Sequence, residues 1–359
     1  MTSKRLLLLA AAAVAALVIA LQLSHQRSSS SEAVSDTLYP GLKDDLKAVT
    51  AVRIFKAGDE RALELVHKDG QWSVTERSNY PADAAKVRKL LLAIAEAKPV
   101  EEKTSNPENY AALGVEDVSG TAATGSRVEL EGTAKPVNLI VGKSGGVKGT
   151  YVRRAGEPAS WLINESIGAS TTAHDWLRAS VVDVTADRVQ SIHVTTDAKA
   201  SYTAAKSSRA DADFKVEGLP KGKEADAFAV NGLASTLAGL SLADVLPAQD
   251  FASEKPSAKA TVKTFDGLVV DLDGYSKADK RYVAVRSTYD AALAERFHVT
   301  TKTPEPAEGE KAEPAPTTPT ESVEAAAKST NDRLQGWVFE IPDYKYEAIF
   351  KPADSLTQK

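Results

Sequence analysis

An internal repeat is the feature that most constrains the fold of this chain. Residues 49–97 have the pattern of two strands, a turn at Asp69-Gly70, a short third strand and a helix, and a looser copy of this stretch begins at Val189. Apolar and charged side chains alternate along the strands, which is typical of an antiparallel sheet with one buried face. The sequence therefore predicts an α+β protein with two related units, each a mainly antiparallel sheet with a packed helix.

The two copies share groups of apolar residues that keep the same order and, within each group, the same spacing. The matched groups are Val49, Val52 and Ile54 with Val189, Ile192 and Val194; Leu91, Ile94 and Val100 with Leu237, Leu240 and Leu246; and Leu139, Val141 and Tyr151 with Val270, Leu272 and Tyr282. Trp161 and Trp337 also occur at matching places, in the last strand of each copy. Such recurrence favours core packing of both indole rings.

The second copy contains additional residues before its last strand. Their middle is rich in Pro, Glu, Ala and Thr, a composition that cannot bury enough apolar surface to offset the loss of chain entropy. We therefore predict a disordered insertion over about residues 302–328, with a helical turn at residues 325–328. The predicted domains are residues 1–27 as a signal anchor, 28–48 as a linker and docking segment, 49–180 as the first unit and 181–359 as the second unit.

The N-terminal segment predicts a location. Residues 6–23 are apolar except for Gln22, and Lys4 and Arg5 precede them. A cleaved signal peptide would have a shorter apolar region and a small-x-small site after it, and no such site follows here. In a helix, roughly eighteen residues rise about 27 Å, close to the hydrocarbon thickness of a bilayer. This favours an uncleaved transmembrane anchor over a signal peptide, with the N-terminus in the cytoplasm and the bulk of the chain in the periplasm.

Composition argues against several classes of function. The net charge is −5 and there is no long basic run, which argues against nucleic acid as a partner. The absence of cysteine excludes a disulfide scaffold, a thiolate nucleophile and a Cys-ligated zinc site. No two of the histidines have a metal-ligand spacing; they are His25, His67, His174, His193 and His298. The sequence thus predicts no catalytic residue, no cofactor-binding residue and no metal ligand.

Residues 142–146, Gly-Lys-Ser-Gly-Gly, match two catalytic patterns on paper. They fit the G-x-S-x-G nucleophile elbow, but that motif needs a helix after it, and a strand is predicted there instead. They also contain the Gly-Lys-Ser of a phosphate-binding loop, whose first glycine is replaced by Val137. We interpret the segment as a hairpin loop, so that Ser144 is not a nucleophile.

Two further sets of charged residues have a simpler interpretation than a functional site. The acidic pairs Asp44-Asp45, Glu101-Glu102 and Asp271/Asp273 fall in predicted loops or on solvent faces. Lys143, Lys148, Arg153 and Arg154 are predicted to form a basic hairpin that could contact anionic lipid or a protein partner. A solvated surface is the default expectation for both sets.

Several short motifs give the chain a family resemblance. They are residues 38–42 (Leu-Tyr-Pro-Gly-Leu), 49–54 (Val-Thr-Ala-Val-Arg-Ile), 72–74 (Trp-Ser-Val), 110–115 (Tyr-Ala-Ala-Leu-Gly-Val), 174–177 (His-Asp-Trp-Leu) and 336–340 (Gly-Trp-Val-Phe-Glu). With the single N-terminal span, they resemble the bacterial family named domain of unknown function 4340 over nearly all of the exported part. Members of that family are often encoded beside ABC-transporter components of the gliding-motility auxiliary type. The resemblance implies an accessory role in a membrane complex, and it supplies no catalytic residue.

We therefore expect a membrane-anchored, non-enzymatic accessory subunit whose partners are the membrane and a membrane protein, such as an ABC-transporter component. A periplasmic ligand-binding or cell-wall-binding module is the alternative, and a hydrolase is the third possibility. An exposed aromatic-lined cleft would favour the binding module, although only 6% of the chain is aromatic. A convergent set of titratable residues in a pocket would favour the enzyme.

Overall fold

The computed structural model describes residues 37–196, 200–297 and 322–358. The chain forms two compact units, with the boundary between Arg178 and Ala179. Both are α+β with mainly antiparallel sheets, as predicted. The predicted anchor at residues 6–23 and residues 302–321 of the predicted insertion lie outside the described residues. Among the helices in the described part of the chain, none is long and apolar enough to span a bilayer.

Unit 1 contains nine strands and three α-helices. The strands are β1 (Ala51–Lys56), β2 (Glu60–Lys68), β3 (Gln71–Val74), β4 (Tyr80–Pro81), β5 (Pro99–Thr104), β6 (Ser126–Glu131), β7 (Val137–Ser144), β8 (Thr150–Arg154) and β9 (Ser160–Ile163). The helices are α1 (Leu42–Asp45), α2 (Ala84–Glu96) and α3 (Tyr110–Leu113). All nine strands form one antiparallel sheet in the order β4-β3-β2-β1-β6-β7-β8-β9-β5.

Helix α2 forms where the sequence places a capping residue before an amphipathic run. The Asp83 carboxylate accepts hydrogen bonds from the backbone N–H groups of Ala85 and Lys86, which otherwise have no partner within the helix. Val87, Leu90, Leu91 and Ile94 recur at helical spacing and are buried. The helix ends before Pro99, which begins the edge strand β5. The prediction of this helix and of its cap is confirmed.

The segment that precedes β1 packs on unit 1. Leu38 and Leu42 are buried, and the Leu38 N–H donates to the Ala97 carbonyl, just beyond the end of α2, at 2.6 Å. The Tyr39 hydroxyl donates to the Asn138 carbonyl at 3.1 Å, and burial raises the pKa of this tyrosine to about 12. The chain therefore enters unit 1 next to the C-terminal end of α2.

Unit 2 contains ten strands and four α-helices in its described residues. The strands are β10 (Ser180–Val182), β11 (Val189–Thr196), β12 (Ala200–Ala205), β13 (Lys215–Glu217), β14 (Leu240–Ser241), β15 (Asp244–Pro247), β16 (Ala258–Thr264), β17 (Leu268–Lys277), β18 (Lys280–Tyr289) and β19 (Trp337–Glu340). The helices are α4 (Ala227–Gly232), α5 (Ala291–Arg296), α6 (Val323–Leu334) and α7 (Asp343–Ile349). Eight strands form an antiparallel sheet in the order β13-β12-β11-β16-β17-β18-β19-β15, and β10 pairs with β14.

The two sheets have the same strand order. When the first sheet is read from β3 and the second from β13, the eight strands of one correspond in order to the eight strands of the other. The short edge strand β4 of unit 1 has no counterpart. In both units, the first strand of the large sheet after helix α2 or α4 is β5 or β15, and this strand lies at the far edge and pairs with the last strand of the sheet. The sheets therefore share this pairing between strands distant in sequence as well as their local hairpins.

The structure corrects the alignment of the two helices. Asp226 caps α4 through the N–H groups of Phe228 and Ala229, as Asp83 caps α2, so Leu237 corresponds to Ile94 and not to Leu91. The sequence alignment was off by three residues because this is close to one helical turn, and the apolar pattern nearly repeats over that distance. Leu240 lies in β14, outside any helix.

Three other differences concern packing and boundaries. Strand β5 was not predicted from the sequence. Helix α6 begins after its capping residue Ser322, so residues 323–328 of the predicted insertion are helical and form more than the single turn that was expected. Trp161 and Trp337 are only partly buried, because each lies on a short strand close to the sheet edge, and Trp176 is the more deeply buried indole of unit 1.

Candidate functional site

The Gly-Lys-Ser-Gly-Gly segment is a hairpin connection, as predicted. It runs from the end of β7 into the loop before β8, and no helix follows it. The Ser144 hydroxyl donates to the Gly146 carbonyl at 3.0 Å, within its own turn. The geometry of a nucleophile elbow, with a helix behind the serine, is thus not formed here.

Packing against residues 111–115 explains the first two residues of the motif. A Cβ atom at Gly142 would overlap the Leu113 carbonyl oxygen, so only glycine allows the α3 turn to lie against β7. The Lys143 ammonium donates to the carbonyls of Ala111 and Ala112 at 3.1 Å each, which satisfies the C-terminal end of α3. These residues hold a structural turn in place.

The prediction of a solvated basic hairpin is wrong for two of its four cations, because these two are part of the fold. Arg153 is only 3% exposed and binds Asp117 at 2.6 Å, while Lys143 caps α3. Arg154 pairs with Glu157 at 3.1 Å at the surface. Of the four predicted residues, Lys148 has no hydrogen bond or ion pair to any described residue, and it lines a groove along α2 that was not predicted from the sequence.

The other titratable groups singled out from the sequence do not converge. His67 stacks on Trp72 with ring centroids 4.7 Å apart, and His193 contacts the Thr203 hydroxyl at 2.9 Å. Asp271 accepts a hydrogen bond from Thr261 on the neighbouring strand, and Asp273 pairs with Lys259. Within the described ranges, no group of three His, Asp or Glu side chains has a metal-binding arrangement. His25 and His298 lie outside these ranges.

A groove runs along α2 on the surface of unit 1, and we call it the α2 groove. Three adjoining cavities of about 790, 280 and 390 Å³ form it, and neighbouring cavities share lining residues. One wall is the exposed side of α2, with Ala84, Ala85 and Leu92. The other wall is residues 164–170, which follow β9. The groove extends to Thr37, where the described chain begins.

The α2 groove is basic although the chain as a whole is acidic. Six cations line it, and they are Lys43, Lys86, Arg88, Lys89, Lys98 and Lys148. Three anions line it, and they are Glu96, Glu165 and Asp175. The local excess of positive charge therefore contrasts with the net charge of −5 for the chain.

Two of the six cations are engaged and four are not. Lys43 pairs with Glu96 at 2.7 Å, a contact that raises the pKa of the lysine, and the Lys86 ammonium donates to the Asp175 carbonyl at 2.7 Å. The side chains of the other four make no hydrogen bond or ion pair with the part of the protein that the structure describes; they are Arg88, Lys89, Lys98 and Lys148. All four are exposed.

Unit 2 supplies an internal comparison for this basic helix face. When the capping residues Asp83 and Asp226 are aligned, Val87 and Val230 coincide, and both are fully buried. The cations of α2 then correspond to uncharged residues. Lys86 corresponds to Ala229, Arg88 to Asn231 and Lys89 to Gly232. The shared sheet order thus does not require a basic helix, which points to a role of these cations outside the fold.

Unit 2 has a crevice of about 440 Å³ beside α6, but its charged groups are largely satisfied. Arg333 donates to the carbonyls of Ser180 and Val181, and Arg188 pairs with Asp266 at 2.8 Å. The Ser287 hydroxyl is buried and has no partner among the described residues. The Arg333 hydrogen bonds join α6 to β10, and the crevice is therefore better explained by packing than by a ligand.

Asp266 gives this cluster a testable pH dependence. Burial raises the pKa of Asp266, but hydrogen bonds from Arg188 and Thr264 outweigh burial and hold that pKa below its usual range. A lowered pKa in the folded state contributes stability above the unfolded-state pKa of about 3.9, and that stability is lost as the pH falls through the folded-state value. Asp266→Asn should therefore cost about 2 kcal/mol at pH 7. In urea denaturation repeated at decreasing pH, the gap to wild type should narrow below about pH 4; a gap independent of pH would contradict this assignment.

Part of the α2 groove could have been found from the sequence. Between Asp83 and Ala97, the helix carries Lys86, Arg88 and Lys89 on its polar side and only Glu96 as an acid. On a solvated helix face, a cation usually has an acidic residue four positions away. None of these three cations has one. Lys98 and Lys148 could not be assigned to the same surface, because the sheet order that brings them there is non-local.

Comparison with known proteins places the chain in a family. The family model described as Domain of unknown function (DUF4340) matches residues 72–272, from β3 of unit 1 to β17 of unit 2. No curated protein and no solved structure gives a match. The matched range covers more than half of the chain and includes all of α2 with both walls of its groove. On this evidence the chain is a member of the DUF4340 family.

Proposed function

We propose that this protein is a membrane-tethered, non-enzymatic accessory subunit that docks on a membrane protein, such as an ABC-transporter component, through the α2 groove. The observation that carries the proposal is the set of four unpaired cations around the groove. Keeping like charges close together on a fold that does not need them lowers stability slightly and attracts anionic partners. The proposed location is the periplasmic side of the inner membrane, with residues 6–23 as a single transmembrane anchor.

The position of the chain entry supports docking close to the membrane. Thr37 lines one end of the groove, and residues 24–36 connect it to the proposed anchor. Fully extended, such a connection spans at most about 45 Å. The tether therefore keeps the groove near other membrane proteins and raises its effective concentration toward them. Even a contact of modest intrinsic affinity would then be occupied.

Two structural features support the parts of the proposal that concern chemistry and ancestry. The Ser144 hydroxyl is hydrogen-bonded within its own turn, and Lys143 is hydrogen-bonded to α3, which argues against hydrolysis at this motif.

The common strand order of the two sheets supports an origin by internal duplication. An experimental structure in which the strands of residues 49–165 and 187–341 do not superpose in the same order would contradict the duplication.

A periplasmic module that binds a small anionic ligand is the second candidate. The volume of one cavity of the α2 groove, about 790 Å³, favours it, because small-molecule sites usually measure about 300–1,000 Å³. The low aromatic content gives no separate support for a carbohydrate surface.

The proposal is tested in a deletion strain that carries tagged full-length variants. Arg88→Glu/Lys89→Glu should lose complementation and at least about tenfold of the co-purified membrane partner at normal protein level, because about 1.4 kcal/mol of lost binding is tenfold. Ser144→Ala should behave as wild type. The exported domain without residues 1–27 should fail to complement at native abundance, because the tether is gone.

The matched control reverses two exposed lysines outside the groove, Lys68→Glu/Lys135→Glu, and should keep both function and partner. Loss of function with Ser144→Ala at normal abundance, or full function of the untethered domain, would refute the proposal. Equal loss in the control and the groove variant would show that total charge matters and that the groove does not.

A further inference from the structure

We propose that the α2 groove binds an extended acidic segment of polypeptide, about six residues long, supplied by the membrane partner. This inference rests on the proposed function and adds the chemistry of the occupant. Charge, shape and the comparison with unit 2 each support it.

Charge selects an anionic occupant. Arg88 and Lys89 lie on one wall, on α2, while Lys148 extends from the β7–β8 loop beside the other wall, and Lys98 lies near the Thr37 end. The cations are thus distributed along the groove and on both of its sides. A single phosphate could reach only one or two of them, whereas a chain with several carboxylates can be close to all of them.

Shape selects an extended chain over a flat surface. Helix α2 has 13 residues and rises about 20 Å, and the cavities follow it along its length. At about 3.3 Å per residue, six extended residues span the same distance. A bilayer is flat on this scale and would meet the rim of the groove, not its floor. The concave form therefore favours a segment that can enter.

The small side chains on both walls allow a backbone to approach closely. Ala84 and Ala85 are exposed on the helix side, and Ser166 and Gly168 are exposed on the opposite side. A Cβ added at Gly168 would meet no atom within 4 Å, so this wall is open to the groove. Ser166 offers a hydroxyl that has no partner among the described residues and could bond to a peptide group.

The internal comparison supports binding over packing. In unit 2, Asn231 takes the place of Arg88, and its amide is used inside the fold, accepting from the Phe214 N–H at 3.1 Å and donating to Asp213 at 2.6 Å. The corresponding position of unit 1 carries a longer charged side chain with no described partner. Unit 2 thus uses this position for hydrogen bonds within the fold, whereas in unit 1 the side chain at this position remains available for a ligand.

The test measures peptide binding to the full chain in neutral detergent micelles by fluorescence anisotropy. The probe is a labelled octapeptide of alternating Glu and Ala, with the Lys-Ala octapeptide, a Glu-Ala dipeptide and inorganic phosphate as comparisons. We expect the acidic octapeptide to bind wild type and Lys68→Glu/Lys135→Glu equally, and Arg88→Glu/Lys89→Glu at least about tenfold more weakly. Raising the salt from about 50 mM to about 500 mM should weaken binding, because the contacts are exposed charges.

The charge-reversal variant keeps the test decisive, because it should gain affinity for the Lys-Ala octapeptide, a result that misfolding cannot produce. Equal binding of the acidic octapeptide to wild type and to the groove variant would overturn the inference. So would dipeptide or phosphate binding as tight as the octapeptide. Charge-dependent binding of phosphatidylglycerol vesicles without peptide binding would assign the groove to lipid instead. If the groove variant loses the membrane partner in cells while no peptide binds, the docking function stands and only the occupant is wrong.

Discussion

Gly142→Ala should destabilise unit 1 by about 3 kcal/mol, the cost of inserting a methyl group where the surrounding atoms cannot move apart. The new Cβ would overlap the Leu113 carbonyl oxygen and lie 2.9 Å from both the Gly114 carbonyl oxygen and a Val115 methyl carbon. Two of these neighbours are backbone atoms, and Val115 is fully buried. The overlap can therefore be removed only if the α3 turn moves away from β7. That movement would separate the buried cluster of Tyr110, Val115 and Ile140.

Urea denaturation followed by tryptophan fluorescence measures this loss. Gly168→Ala is the matched control, because a Cβ there meets nothing within 4 Å and the backbone is not in a left-handed conformation. It should change the free energy of unfolding by less than about 0.5 kcal/mol. A small effect at both glycines would show that the α3 turn is not held as closely as the structure indicates.

Arg153→Met should also lower the free energy of unfolding of unit 1, by about 3 kcal/mol, because it removes the hydrogen bonds of a buried cation. The guanidinium donates to the Val115 carbonyl at 2.8 Å, to the Glu157 carbonyl at 3.0 Å and to the Asp117 carboxylate at 2.6 Å, and it lies 4.5 Å from the Tyr110 ring centre. Methionine preserves part of the volume but donates no hydrogen bond. The Val115 carbonyl is then left buried without this donor, which costs about 1–3 kcal/mol alone.

The neighbouring arginine is the natural control. Arg154 pairs with Glu157 at the surface, and exposed ion pairs contribute about 0–1 kcal/mol. Arg154→Met should thus change stability by less than about 1 kcal/mol in the same urea experiment. Similar losses at both positions would mean that the arginines act through general charge and not through the buried hydrogen bonds of Arg153.

The sequence predicted the elements whose side chains follow a clear period. The strands β1 and β2 show alternation, and α2 shows a capping aspartate and a helical apolar face, so their signals were local. Strand β5 was missed because its sequence, Pro-Val-Glu-Glu-Lys-Thr, alternates little and its pairing with β9 has two register shifts. Charges and proline are typical of an edge strand, where they discourage pairing with other chains.

The candidate site was less predictable than the fold, for a physical reason. Arg153 and Arg154 are adjacent and chemically identical, yet Arg153 is buried and Arg154 is only half-buried, because successive residues of a strand point to opposite faces. Sequence alone could not assign the covered face, since the cover comes from residues 110–117, outside the hairpin. For the same reason Lys148 was grouped with its neighbours in sequence, although it lines the α2 groove together with residues of α2 and residues 164–166.

The edge positions of β5 and β15 also bear on the order in which the chain can fold during synthesis. Each strand is made before four other strands of its sheet, and it pairs with the last of those four: β5 pairs with Ser160–Ile163, and β15 pairs with Trp337–Glu340. Contacts between residues so distant in sequence slow folding, because a long loop must close before the pairing stabilises it. A growing chain that has not reached Trp337 therefore holds Val245 and Leu246 without their strand partner, and these apolar residues are available to chaperones until the C-terminal residues arrive. The synthesis of β19 thus sets the earliest time at which the second sheet can be completed.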